Sequence, residues 1–134
     1  LRDTPRQITD TSLFEFMRFD APLHLFERTA TADTEVGGVQ IQEGQKIAAL
    51  IGSANRDESV FSAPETMDLT RDPNPHIGFG AGIHFCLGAP LARLEMSVSL
   101  PALWEKYPAM QLASEPVRRP TFVLRGYESV AISA

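Results

Sequence analysis

Residues 78–88 gather the chain's only cysteine, Cys86, and a histidine, His84, among four glycines, Gly78, Gly80, Gly82 and Gly88. Pro90 follows, where the first turn of a helix accepts proline. Cys86 is therefore expected just ahead of a helix N-terminus, where unpaired N–H groups and the positive end of the dipole favour an anionic sulfur. Thiolate is the form that ligates metal or attacks carbon. The glycines would let the backbone come close to a flat ligand. From these residues alone, three readings of the thiol compete. It could be a small buried group, a nucleophile with His84 as base, or a zinc ligand with His84, His76 and His24. Against the second, a histidine two residues away on one loop has poor geometry for a base. Against the third, structural zinc takes about four ligands, which would use every histidine present. Gly80-Ala81-Gly82 suggests a dinucleotide fingerprint, but its third glycine would fall at Phe85 and no strand leads in. No Gly-Lys-Ser/Thr follows, so a phosphate loop fails too.

The elements that must position this loop are legible in outline. Residues 9–19 read as a helix, with Thr9, Asp10, Thr11 and Ser12 as candidate caps and Leu13, Phe16, Met17 and Phe19 as its buried face. Asp20-Ala21-Pro22 ends it. From 34 to 51 the pattern is short strands, with Gly37-Gly38 turning between Glu35-Val36 and Val39-Gln40-Ile41, and Glu43-Gly44 forming a second turn. Ala54 to Asn74, broken by Pro64 and Pro73, reads as a long ordered meander. Leu91, Leu94, Val98 and Leu103 continue a helical face after Pro90, and Pro101 is expected to kink or restart that helix. The tail, Thr121 to Ser133, reads as a C-terminal hairpin with Arg125-Gly126 at a turn.

At 134 residues the chain is the size of one domain or a large piece of one. It is 43% hydrophobic and 22% charged, a soluble globular composition. Twelve basic against 17 acidic side chains give a net charge of −5, which leaves no basic stripe for nucleic acid. The longest apolar run, Ile47–Ile51, is too short to span a bilayer, and no leader-like segment is visible at the front. A single cysteine excludes an internal disulfide and suggests a reducing, cytoplasmic setting. Leu1 opens the chain in place of Met, so it reads like something already under way.

The segment FGAGIHFCLG at 79–88 resembles the cysteine-ligand loop of the cytochrome P-450 family, the haem-thiolate monooxygenases. That signature reads F-x-x-G-x-x-x-C-x-G, and Phe79, Gly82, Cys86 and Gly88 occupy its fixed places, with His84 at the usual basic position. Glu15-Phe16-Met17-Arg18 is similar to the family's E-x-x-R upstream on a helix. Arg28-Thr29-Ala30, Val36-Gly37-Gly38-Val39, Ala54-Asn55-Arg56-Asp57 and Asn74-Pro75-His76 resemble bacterial members. The resemblance runs from about Leu1 to Val130. It implies an α+β fold, the C-terminal part of the cytochrome P-450 fold: helix, small antiparallel sheet, meander, cysteine-ligand loop, long helix and C-terminal β-hairpin. Residues 1–134 would thus be an incomplete haem-binding domain.

By the same resemblance, Cys86 would ligate haem iron as a thiolate, which pushes electron density onto iron and favours O–O cleavage. Phe79, Gly80 and Gly88 would lie against the cofactor, and N–H groups near Leu87 and Gly88 would tune the sulfur. His84 and Arg28 would bind haem propionates. Glu15 and Arg18 would form a buried ion pair fastening the helix to the meander. Thr66 stands where a third arginine often completes that network, leaving Arg71 or Arg56 to substitute. His76 would be structural, and His24, Leu25, Val123 and Leu124 would contact substrate. Arg93 would lie on the face that meets an electron donor. The function implied is insertion of one oxygen atom from O2 into a small organic substrate, with electrons from a ferredoxin-type partner. The alternative is a truncated, non-catalytic haem-binding or structural relic. The helices that deliver protons and cover the substrate pocket have no counterpart here, so the piece alone is expected to be inactive. Its uncovered apolar faces would drive self-association.

Overall fold

The structure, a computed structural model, describes residues 8–133. The start of the family-like stretch, residues 1–7, lies outside the described residues. Helix α1, Asp10–Phe19, begins where the Thr9 side chain accepts the Ser12 N–H at 3.4 Å, and ends with the Asp20 N–H on the Phe16 carbonyl. Asp10 in its first turn and Arg18 in its last complement the helix dipole. The buried face differs from the one expected. Leu13 is buried, but Phe16, Met17 and Phe19 are only half-buried, and Ser12, Glu15 and Arg18 point inward with Leu13. The reason is that α1 packs against a loop rich in backbone carbonyls. Leu69 alone accepts from the hydroxyls of both Thr11 and Ser12, so polar side chains bind better there than apolar ones.

Strand β1, Leu25–Thr29, pairs antiparallel with β4, Lys46–Leu50, from Leu25 opposite Leu50 to Thr29 opposite Lys46. Between them β2, Thr34–Val36, and β3, Val39–Ile41, close a hairpin through Gly37-Gly38. Both glycines have positive φ, 58° and 80°, which a primed hairpin turn requires. The Glu43-Gly44 turn sends the chain back to β1: Gly44 N–H donates to the Ala30 carbonyl at 2.8 Å. Ile51–Ala54 forms a single helical turn, α2, and residues 55–81 then run without a regular element, so the meander expected over Ala54–Asn74 begins one residue later and continues into the bend.

A turn of 3₁₀ helix, Gly82–His84, precedes α3, Ala89–Lys106, with Pro90 in the first turn. The restart expected at Pro101 does not occur, and α3 passes through it unbroken. The carbonyl that loses its donor belongs to Ser97, which is exposed, so water can satisfy it. The single C-terminal hairpin over Thr121–Ser133 is also corrected. Strand β5, Gln111–Leu112, pairs with β8, Ile132–Ser133, and β6, Val117–Arg118, pairs with β7, Tyr127–Ser129. The tail therefore finds its partners upstream at 111–118. Strands of two or three residues carry too little alternation to announce this. The apolar core is small: Leu13, Ala21, Ala30, Ile51, Phe61 and Ala89.

Candidate functional site

The glycine-rich bend is built by its backbone. The Cys86 N–H donates to the Phe79 carbonyl at 2.8 Å and the Ala89 N–H to the Cys86 carbonyl at 3.1 Å, which closes the loop onto the start of α3. Gly80 and Gly82 take positive φ of 76° and 60°. A Cβ at Gly80 would lie 3.2 Å from the His84 carbonyl oxygen, so both its conformation and its surroundings favour glycine. The loop presents its side chains outward. Cys86 is exposed, and its neighbours Ile83 and Leu87 are 97% and 99% exposed. A Cβ at Gly88 would sit 3.7 Å from Cys86 Sγ, in ordinary contact, so at Gly88 space alone does not demand glycine.

Arg28 on β1 and His84 on the bend, distant in sequence, line one cleft of about 160 Å³. Phe26, Ile51 and Ile77 give it apolar walls, and Gly80 contributes backbone. The Arg28 guanidinium lies 5.4 Å from the Phe26 ring centre and donates to the Glu27 carbonyl at 2.9 Å. Cys86 stands two residues past His84, outside the lining of this cleft. Behind the bend, Phe79 belongs to a ladder of rings: Phe14 to His76 at 5.4 Å, His76 to Phe79 at 5.9 Å, Phe79 to Phe85 at 6.3 Å. His76 Nδ1 accepts the Gly78 N–H at 3.1 Å. Burial holds its imidazole below the ordinary histidine pKa; the Glu15 charge opposes that shift and Arg18 reinforces it.

The polar centre lies between α1 and the meander. Arg18 meets Glu15 with two bonds, Nε to Oε2 at 2.8 Å and Nη2 to Oε1 at 2.7 Å, with both side chains fully buried. Arg18 also donates to the carbonyls of Asn55, Pro64 and Thr66. Arg71, 8% exposed, is the further arginine on Glu15, with Nε 3.2 Å from Oε2. It donates as well to the carbonyls of Ser62, Ala63 and Thr66, and Ala63 there holds a left-handed φ of 46°. Thr66 thus contributes its carbonyl where an arginine side chain was the expected member. Arg56 is engaged elsewhere, with Glu65 and the Phe19 carbonyl. Asp68 N–H and Asn74 Nδ2 complete the set around Glu15 at 2.9 and 3.0 Å. Burial pushes the Glu15 carboxyl up, but the bonds from Arg18 and Asp68 and the charges of Arg18 and Arg71 outweigh it, holding the pKa below the ordinary carboxylate value.

The segments expected to contact substrate come together. His24 N–H donates to the Val123 carbonyl at 2.9 Å, Leu23 bridges Leu124, and Arg125 N–H reaches the Pro22 carbonyl at 2.7 Å. Leu25 is half-buried, whereas Val123 and Leu124 are exposed. The His24 ring packs on α2, where a Cβ at Gly52 would come within 2.6 Å of Nδ1, and Nε2 lies 3.7 Å from Asp20 Oδ1. Burial and the Arg125 charge lower its pKa against the pull of Asp20. Arg93 pairs with Asp10 at 2.9 Å and covers the Phe14 ring.

Among the described residues, no three His, Cys, Asp or Glu side chains gather as a metal-binding group, and no helix is long and apolar enough to cross a membrane. Asn55 and Asn74 lie in stretches that resemble the family, but sequence reasoning assigned them no role. The Asn55 carbonyl accepts from Arg18 while its Oδ1 accepts the Ile77 N–H, and Asn74 Nδ2 donates to Glu15.

Comparison with known proteins places these features. The family model for cytochrome P450 matches residues 6–123. Nocardicin C N-oxygenase of Nocardia uniformis subsp. tsuyamanensis is 46% identical over 123 residues, covering 90% of this chain and 30% of that protein. The biotin biosynthesis cytochrome P450 of Bacillus subtilis (strain 168) is 39% identical over 134 residues, covering 99% of this chain and 34% of the relative. The crystal structure of P450BioI in complex with a hexadec-9Z-enoic acid-ligated acyl carrier protein superposes with a TM-score of 0.93 at 40% identity, over 99% of this chain and 35% of that one. The chain spans about a third of the length of the curated relatives it matches. Their shared fold and the match over nearly all described residues settle the family: the chain belongs to the cytochrome P450 family.

Proposed function

We propose that this chain carries the cysteine-donating side of a haem site, with Cys86 as the iron ligand. The observation that carries the reading is the cleft in which Arg28 and His84 meet over apolar walls beside the cysteine bend. The donor set fits a haem. One exposed sulfur is offered from a backbone-closed bend, two cationic or donor side chains that could meet carboxylates share the neighbouring cleft, and the apolar Ile83, Phe85 and Leu87 of the same bend are exposed. An aliphatic surface of that kind is stabilised by a broad apolar partner. When bound, haem would supply the oxygen-activating chemistry of a thiolate-ligated iron.

The residues of the chain have distinct parts in this reading. Cys86 offers the sulfur, and the start of α3 places the positive end of the helix dipole near it. Arg28 and His84 anchor the propionates, and Phe79 packs behind the bend. The Glu15–Arg18–Arg71 cluster holds the meander against α1 and so keeps the bend in place. His24, Leu25, Val123 and Leu124 would contact substrate, and the backbone bonds that join the two segments would hold them as one surface. The oxygenation belongs to the whole protein: insertion of one oxygen atom from O2 into a small organic substrate, with electrons from a ferredoxin-type donor, in the cytoplasm. By itself this piece is a haem-binding part of the enzyme and does not turn over.

The test is optical. Haemin added to the protein, reduced and exposed to carbon monoxide, gives the red-shifted Soret band that thiolate ligation produces. Cys86→Ser abolishes that band and leaves the fold intact, since Cys86 is exposed. An unchanged band in Cys86→Ser, or no haemin uptake by the unsubstituted protein, overturns the reading.

A further inference from the structure

We propose that Asn55 is a positioning residue that transmits the buried ion-pair network to the cysteine bend by holding the backbone at Ile77. Asn55 is completely buried, yet it sits in neither a helix interior nor a strand. Its three used polar groups point to three different parts of the molecule. The N–H caps α2 on the Ile51 carbonyl at 3.0 Å. The carbonyl accepts Arg18 Nη1 at 2.9 Å. Side-chain Oδ1 accepts the Ile77 N–H at 2.8 Å, and an N–H donor on Ile77 fixes which amide atom faces it.

Ile77 is where that hold matters. Ile51 and Ile77 are both walls of the Arg28–His84 cleft, so one residue sets the separation of two walls. The stretch from Asn74 into the bend is pinned in sequence. Asn74 Nδ2 is on Glu15 at 3.0 Å, and Ile77 is on Asn55. Gly78 lies so close to the Met17 carbonyl that a Cβ would come within 2.6 Å, and Phe79 accepts from Cys86. Of these, the Asn55 clamp alone reaches Arg18, the cleft wall and the bend together. Asn55 Nδ2 is buried without a partner. A buried unpaired amide donor is destabilising, so the side chain is held there for its acceptor.

Amide hydrogen exchange tests the proposal. In Asn55→Leu, which keeps the branching and heavy-atom count of the side chain and loses the acceptor, the Ile77 and Cys86 amides exchange about tenfold faster or more, while the α3 amides keep their rates. Asn55→Asp keeps an acceptor oxygen and restores protection at Ile77. In the haem-loaded protein, Asn55→Leu shifts part of the reduced carbon monoxide band away from the thiolate position, and Asn55→Asp recovers it. That optical arm rests on the haem reading; the exchange arm does not. Loss of the band in the unsubstituted protein defeats the haem reading alone, whereas unchanged Ile77 exchange in Asn55→Leu overturns the clamp. Should Asn55→Leu not fold, the unsubstituted protein decides. Ile77 protection equal to that of the slowest α1 amides upholds the clamp, and exchange at open-loop rates overturns it.

Discussion

The junction of α1 with the meander and the outer side of α3 bury opposite things. At the junction the largest fully buried side chains are Arg18, Leu13, Glu15 and Asn55, three of them polar or charged. On α3, Leu91, Leu94 and Val98 are exposed, and so are Ile83, Phe85 and Leu87 just ahead of it. Charge is inside and aliphatic surface is outside. The difference is physical. A carbonyl-rich loop cannot bury its backbone against leucines without leaving acceptors unpaired, and the guanidinium groups of Arg18 and Arg71 provide many donors in a fixed fork. The junction pairs its carboxylate and both guanidinium groups within this chain and, among the described residues, leaves only the amide atoms Asn55 Nδ2 and Asn74 Oδ1 without a partner there. The α3 face makes no such closure, and only another apolar surface can stabilise it. The first region holds the bend's support together, and the second waits for cover.

Removing the centre of the junction is the largest break. Glu15→Gln leaves Arg18 and Arg71 without their carboxylate in a buried site, and breaking such a pair costs about 3–5 kcal/mol. Urea unfolding reads it directly, and a loss under about 1 kcal/mol contradicts the closure argued here. Next comes a contrast between two arginines of the meander. Arg71→Met removes a nearly buried partner of Glu15 together with three carbonyl contacts, and costs about 1–3 kcal/mol. Arg56→Met loses a pair with an exposed glutamate and a single bond to the Phe19 carbonyl, and costs less, about 1 kcal/mol. Equal losses in the two variants would erase the distinction between the network's third cation and a surface pair.

How much of this was legible beforehand divides along the same line. The bend was readable because its constraint is local. Glycines at 80 and 82 take positive φ, and proline at 90 enters a helix, within a dozen residues of Cys86. The Gly37-Gly38 hairpin was readable for the same reason. The junction was not, because its geometry depends on carbonyls of Asn55, Pro64 and Thr66 that have no side-chain signature. The E-x-x-R pattern marked Glu15 and Arg18, but only the packed chain chose Arg71 over Arg56. The apolar positions of α1 misled, since hydrophobic periodicity assumes an apolar partner and the meander is a polar one. The tail misled because β5 to β8 pair across intervening chain in strands of two or three residues.

The junction should also show in the pH dependence. Glu15 has its pKa held below the ordinary 4.5, so its contribution is complete above that value and is lost as pH falls through the folded-state pKa. His24 and His76 have theirs held below the ordinary 6.5. In that window the unfolded chain binds more protons than the folded one, so stability falls as pH drops below 6.5. The urea midpoint is therefore expected to be lower at about pH 5.5 than at about pH 7.5. His76→Gln flattens part of that slope. A midpoint that is level or rising toward acid would contradict the lowered pKa of the two histidines.

The smallest expected change in stability is on α3, and it sharpens the comparison most. Replacing Leu94 and Val98, 59% and 62% exposed, by glutamine removes little surface from burial, so stability stays within about 0.5 kcal/mol. Association is another matter. An uncovered apolar stripe drives copies together, and sedimentation of the unsubstituted chain is expected to show concentration-dependent self-association that Leu94→Gln with Val98→Gln weakens. If the double variant instead unfolds the chain, α3 packs inward in solution and the contrast with α1 fails. If association persists unchanged, the copies meet through another apolar surface. The cleft framed by Leu103, Trp104, Leu112 and Ile132 at the C-terminal ladders is then the next to substitute, because it is an apolar concavity beside α3.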